Sequence, residues 1–160
     1  MSETATEIRD YESKDAPEIV RLFYETVHSV NRLDYSREQV EAWAPKIPNA
    51  AAWRRRMAAR KTLVAVANGE VVGFAELEED GHLDMFYLRK DAVGRGIGRH
   101  LYRAVEHEAL DRGIGRISTE ASITARPFFE RRGFRVVRQQ TVQRRGVGLT
   151  NFVMEKPLTQ

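Results

Sequence analysis

Apolar residues recur three and four positions apart at Ile19, Leu22, Phe23 and Val27, the spacing of one buried helical stripe. Asp15-Ala16-Pro17-Glu18 precedes the stripe in a capping-box pattern, with Pro17 early enough that its missing N–H is harmless, so a helix is expected to run to about His28. A short strand over residues 7–11 comes before it. Ser36-Arg37-Glu38-Gln39 is a second cap signal, opening a helix through Val40 and Trp43 that Pro45 stops, and a third helical piece covers residues 50–60. Two strand-like runs, residues 62–67 and 70–77, flank Asn68-Gly69, the dipeptide that suits a type I′ turn, and predict a hairpin. Asp80-Gly81 turns the chain into a third strand over residues 82–89.

Leu101, Ala104, Val105 and Ala109 line one face of a further helix, which Gly113 ends. Residues 116–121 predict a strand, and residues 124–132 a helix with Pro127 in its first turn and Gly133 past its end. Strands over residues 134–142 and 149–154 close the chain around Arg144-Arg145-Gly146-Val147-Gly148. Passing from strand to helix to strand between residues 82 and 121 requires a parallel crossover. The expected class is therefore α/β (α+β), a mixed, mostly antiparallel central sheet of about six to seven strands with helices on both faces. Neither a repeat nor a Gly/Ser/Pro-rich linker divides the chain, so residues 1–160 are read as one domain.

Composition narrows the chemistry. The absence of cysteine excludes disulfides, thiolate metal sites and a cysteine acyl-enzyme, and no metal is expected. A net charge of +3, from 26 basic and 23 acidic residues, gives little support to nucleic-acid binding. The polar, acidic start over residues 1–7 is unlike a signal peptide, and no apolar run approaches the ~18–20 residues that span a bilayer, so a cytoplasmic chain away from membranes is expected. Strand edges around Phe152 and Met154 offer a place for a homodimer to pair.

Val93-Gly94-Arg95-Gly96-Ile97-Gly98 lies between a predicted strand and a helix. Alternating glycines there let backbone N–H groups converge on an anion at the helix N-terminus, so the loop suits phosphate. A flexible turn is the bland alternative. The loop follows an antiparallel meander and lacks the Gly-x-Gly-x-x-Gly spacing of a dinucleotide loop, and no Gly-Lys-Ser/Thr follows it as in a nucleotide triphosphate loop.

Met85-Phe86-Tyr87-Leu88 running into Gly94-Arg95-Gly96-Ile97-Gly98-Arg99, together with Ala125-Arg126-Pro127-Phe128-Phe129-Glu130 and Arg131-Arg132-Gly133-Phe134, resembles the GNAT N-acetyltransferase superfamily. The resemblance implies acetyl-coenzyme A as co-substrate. Its pyrophosphate would rest on the amides of residues 93–99, and its pantetheine between the strand of Phe86, Tyr87 and Leu88 and the strand over residues 116–121. A backbone N–H near Leu88 would polarise the thioester carbonyl. Arg95, Arg99 and Arg103, with Arg89 and Lys90, are the cations near the phosphates. Two positions depart from the family pattern. Val93 replaces its leading Gln or Arg, and Phe129 stands where many members place a tyrosine that protonates the leaving thiolate.

The implied activity is acetyl transfer to a primary amine of a small molecule or protein, by direct attack in a ternary complex. A coenzyme A-binding sensor without turnover is the competing reading. Deprotonating the amine needs a base. His82 and Asp84 share parity on the strand entering the gap and are the first candidates, with Glu76 and Glu120 as other acids nearby. The resemblance further implies that the early helices shape the acceptor pocket, where His28, Asp34, Tyr35 and Glu120 are the expected contacts; Tyr35 equally suits a packed hydrophobic staple. Trp43 and Trp53 are read as core, and Arg54-Arg55-Arg56 as a solvated helix face.

Overall fold

Strand β1 (Thr6–Asp10) forms the edge of a four-stranded antiparallel sheet ordered β1, β2 (Lys61–Ala67), β3 (Glu70–Leu77), β4 (Leu83–Leu88). The computed structural model describes residues 6–159, and most of the polar start over residues 1–7 lies outside them. Helices α1 (Ala16–Ser29), α2 (Arg37–Trp43) and α3 (Ala50–Ala58) connect β1 to β2. Beyond β4 come α4 (Ile97–Asp111), β5 (Arg116–Ser122), α5 (Arg126–Arg131), β6 (Arg135–Arg144) and β7 (Val147–Pro157), with the last three strands forming an antiparallel sheet ordered β5, β7, β6. The expected α/β class and crossover are both present. The parallel join between β4 and β5 narrows to a single bridge, His82 to Ser118, so the mixed sheet opens into two parts there.

Helices cover both faces. Leu101, Val105 and Ala109 of α4 pack on Leu83, Ile117, Phe134 and Met154. On the other face Ile19, Phe23 and Val27 of α1, with Met57 of α3, pack on Val64 and Phe74. None of the described helices is long and apolar enough to cross a membrane. The short-range signals form as expected: Asn68 and Gly69 turn at φ 55° and 74°, and Ser36 and Gln39 make a reciprocal capping box.

Three local readings change. Asp15 does not cap α1 with its side chain; its carboxylate turns back to the Arg9 guanidinium at 2.8 Å and to the Glu12 N–H at 2.8 Å. The strand carrying Phe152 and Met154 is no edge, because β7 lies between β5 and β6, and both residues are buried. Open edges fall on β1 and β6 instead.

The third change positions the site. In the β3–β4 ladder Glu76 pairs with Met85 while Leu77 pairs with Leu83, so Asp84 is the extra residue of a β-bulge. Leu83, Phe86 and Leu88 consequently share the α4 face, and Met85 and Tyr87 the α1 face. Strand parity reverses at Asp84, and the strand bends away from β5.

Candidate functional site

Arg89 N–H donates to Val72 carbonyl, so the alternation of an antiparallel ladder turns the N–H and C=O of Phe86 and Leu88 away from β3 and toward the gap. Across it, Leu158 N–H donates to Gly115 carbonyl, and the same alternation turns the backbone of Ser118, Glu120 and Ser122 toward β4. Ser118 is taken up by the Gly81 carbonyl. The Leu88 carbonyl is taken up by the Thr26 hydroxyl at 2.9 Å. Leu88 N–H and the Phe86 backbone remain on the cleft, an unpaired strand edge that an extended amide chain can complete.

A cleft of about 650 Å³ runs from the glycine loop into this gap. Val93, Gly94, Arg95, Gly96, Gly98 and Arg99 line its mouth, Phe86, Tyr87 and Leu88 one wall, and Phe128 and Phe129 the other. Gly96 caps α4 in the left-handed region at φ 80°. The first helical bond runs from His100 N–H to Gly96 carbonyl, which leaves the N–H groups of Ile97, Gly98 and Arg99 without a helical acceptor. A side chain at Gly98 would press on Leu88 at 3.0 Å and Phe128 at 3.1 Å, so glycine gives α4 its close fit to β4. Arg95 and Arg99 have no carboxylate within 4.0 Å among the described residues. Arg89, by contrast, is held by Glu70 at 2.8 Å and Asp91 at 2.6 Å and, like Lys90 and Arg103, does not line the cleft.

A second cleft, about 580 Å³, opens between α2, α3 and the β6–β7 hairpin. The two clefts share Trp43, Asp84, Tyr87, Glu120 and Ser122, which marks the place where they meet. Tyr35 lines the second cleft as a wall: its hydroxyl is spent between the Thr150 carbonyl (2.6 Å) and the Ile123 N–H (2.9 Å), while its ring packs on Trp43. His28 and Asp34 line neither cleft. The His28 ring stacks on Tyr24 and bonds to the Ala44 carbonyl, and Asp34 is exposed beyond the helix end. His28 at the end of α1 faces the α2 connection, and Asp34 lies on the segment between the two helices.

The acids at the junction differ in their partners. The Asp84 carboxylate accepts from both Arg56 and Arg60, so α3 supplies a charged inner face where a solvated one is expected. Glu76 is fully buried, with Arg56 at 3.4 Å and Arg60 at 3.5 Å; burial raises its pKa against those two cations. His82 bonds Glu120 through Nε2 and Glu78 through Nδ1. Carboxylates only accept, so both ring nitrogens donate. Burial opposes the charge on His82, but the bonds to Glu120 and Glu78 together outweigh it and raise its pKa. His82 lines neither cleft itself; Glu120, its partner, lines both. Glu78, His82 and Asp84 stand close enough to hold a metal ion, but the Arg60 guanidinium already occupies the position between Glu78 (3.3 Å) and Asp84 (2.7 Å).

Several lining residues escape a reading of the sequence. Thr26 and Asn31 come from α1 and its end, Trp43 from α2, and Arg132 from beyond α5, its guanidinium over the Phe128 ring at 5.0 Å. Ser122 Oγ accepts from Ala125 N–H at 3.0 Å and from Asn31 Nδ2 at 3.4 Å, so its own hydrogen is free to donate at the junction. Arg132 belongs to the stretch that carries the family resemblance; the others depend on contacts between distant segments.

Comparison with known proteins places this geometry. A family model described as an acetyltransferase (GNAT) domain matches residues 31–156. The chain is 33% identical over 148 residues to YafP, an uncharacterized N-acetyltransferase of Escherichia coli (strain K12), covering 92% of this chain and 93% of that protein. It is similar to the crystal structure of a GCN5-related N-acetyltransferase from Rhodopseudomonas palustris, with a TM-score of 0.91, 35% identity and 99% of each chain covered. The PaiA N-acetyltransferase of Thermoplasma acidophilum, solved in complex with coenzyme A, shares the fold at a TM-score of 0.79 and 20% identity over 96% of this chain and 99% of that one.

Proposed function

Because the chain belongs to the GNAT acetyltransferase family, we propose that it binds acetyl-coenzyme A in the first cleft and transfers the acetyl group to a primary amine arriving through the second. The observation that carries this reading is the junction itself, where both clefts reach Glu120, Asp84 and Ser122 beside the unpaired edge of β4. The cleft fits the coenzyme: free amides and two unpaired arginines stand at one end, and a strand edge lies between apolar walls at the other. Acetyl-coenzyme A supplies an acyl group activated as a thioester.

The residues then divide the work. Amides of Ile97, Gly98 and Arg99, with Arg95 and Arg99 side chains, hold the pyrophosphate at the N-terminus of α4. Leu88 N–H donates to the acyl carbonyl and favours the charge that develops there. Glu120 takes the proton from the amine once His82 behind it has given up its own, so the pair acts as one base. Asp84, whose carboxylate already accepts from two arginines, holds the ammonium of the arriving amine. Phe129 has no proton to give, and the Ser122 hydroxyl is the donor facing the leaving sulfur. With no cysteine in the chain, the amine attacks directly.

Phe129 also favours a second reading, a coenzyme A-binding module without turnover. Calorimetric titration with acetyl-coenzyme A followed by a thiol-release assay separates them. Saturable binding with release that Glu120→Gln slows by about a hundredfold supports the transferase. Binding with no release supports the module, and absence of binding sinks both.

A further inference from the structure

The acceptor cleft presents two carboxylates, one of them shared with Arg56, at its inner end and two guanidinium groups at its outer end, and, resting on the acetyltransferase reading, we propose that its substrate is a primary amine carrying an anionic group several bonds from the nitrogen, the anion being recognised by Arg144 and Arg145. Asp84 and Glu120 stand at the inner end, where the clefts meet. Arg144 and Arg145 stand at the outer end, on the hairpin between β6 and β7.

Neither arginine has a carboxylate partner within 4.0 Å among the described residues, whereas Arg37, Arg112, Arg126 and Arg135 elsewhere in the chain each do. Arg145 is nevertheless fixed in place: its Nη1 donates to the Ala42 carbonyl at 2.6 Å, at the end of α2, which leaves its remaining N–H donors for a ligand. Arg144 donates only to the Gln143 carbonyl. The hairpin turn that presents them is tight, with Arg145 at φ 50° and Gly146 at φ 79°.

Strand register sets the reach. Ser122 pairs with Asn151, and Arg144 pairs with Val147, four residues farther along β7. Four residues of strand span about 13 Å, and a long guanidinium side chain leaning inward shortens that separation. An α-amino carboxylate, whose charges are adjacent, cannot bridge the ends. A longer or aromatic body can, and the rings of Tyr35, Trp43 and Tyr87 line the passage between. Asn151 Oδ1, beside Ser122 at the inner end, is buried without a partner among the described residues. A diamine or polyamine would instead set its second ammonium against two guanidinium groups, a like-charge pairing that costs affinity.

The test compares matched amines in the thiol-release assay: aminohexanoate, aminomethylbenzoate and aminobutylphosphonate against hexylamine, benzylamine and diaminohexane. In parallel, aminomethylbenzoate and benzylamine are titrated calorimetrically into the coenzyme A-loaded protein. Anionic amines are expected to exceed their neutral counterparts in kcat/KM by at least about tenfold, the size of one charge-assisted hydrogen bond. The carboxylate and phosphonate arms show which anion the arginines prefer. Arg144→Gln, at an exposed position that leaves the fold intact, is expected to lower the preference for aminohexanoate over hexylamine by about tenfold, and Arg144→Lys to restore part of it. Equal or better turnover of hexylamine or diaminohexane, or an Arg144→Gln effect alike on every amine, overturns the inference and leaves the transferase reading standing. No thiol release from any amine overturns the transferase reading, and the calorimetric comparison then decides whether the cleft prefers the anionic amine.

Discussion

The Thr26 hydroxyl of α1 donates to the Leu88 carbonyl at the last residue of β4, tying a helix to the strand edge that bounds the cleft. β5 has veered away at this depth, so no strand satisfies that carbonyl. Thr26→Val removes the donor and keeps the shape. It is expected to destabilise the fold by ~1–2 kcal/mol, read by urea denaturation, and to weaken acetyl-coenzyme A binding, while Thr26→Ser preserves both. Equal stability of the Val and Ser variants would show that the bond is incidental.

Gly98 lies where α4 passes closest to β4. Gly98→Val pushes a branched side chain onto Leu88 and Phe128, an overpacking that costs ~1–3 kcal/mol and narrows the cleft mouth. Calorimetric titration is expected to show acetyl-coenzyme A affinity falling by about tenfold or more with the protein still folded by circular dichroism. Unaltered affinity would place the coenzyme elsewhere.

The His82–Glu120 pair predicts the pH dependence of turnover. With its pKa raised above the ordinary ~6.5, His82 must lose its proton before the pair can accept another, so kcat/KM is expected to rise with pH through a value above that. In His82→Gln the rate falls and the limb that His82 sets is lost. An unmoved limb would assign the titration to a different group.

Two groups make stability depend on pH in opposite senses. Because the folded-state pKa of His82 is raised, its contribution is full below ~6.5 and is lost as pH rises through the folded value. The melting-temperature advantage of the native chain over His82→Gln is therefore expected to shrink as pH rises above ~6.5. Burial works against the Asp15 charge, but Arg9 and the Glu12 N–H more than offset it and lower the pKa. Its contribution is present above ~3.9 and is lost as pH falls through the folded value, so Asp15→Asn is expected to flatten the acid end of the stability curve. A melting difference independent of pH in either variant would remove that residue from the account.

What the sequence discloses divides by range. The Asn68-Gly69 turn, the Ser36–Gln39 cap and the glycine loop depend on neighbours a few residues apart, and each is legible as a pattern. The shared parity of His82 and Asp84 holds, their side chains standing 4.0 Å apart, but the bulge at Asp84 reverses the pleat beyond it, and only the β3 register reveals the extra residue. Arg56 looks like part of a solvated face because its helix is polar, while its partners Glu76 and Asp84 lie on strands 20 and 28 residues away. His28 and Asp34 have suitable chemistry, but His28 faces Ala44 from the end of α1 and Asp34 is exposed on the connection beyond it. Ser122 joins the site through Asn31, 91 residues earlier, a contact that no local pattern announces.

Mixing the acetyl-coenzyme A-loaded protein with aminohexanoate, and following free thiol by absorbance and N-acetylated product by mass spectrometry, tests the central claim most directly. The account predicts thiol and N-acetyl product in equal amounts, with Glu120→Gln about a hundredfold slower at unchanged coenzyme affinity. Tight coenzyme binding with no thiol released, from this amine or from the neutral and dicationic ones, would contradict it.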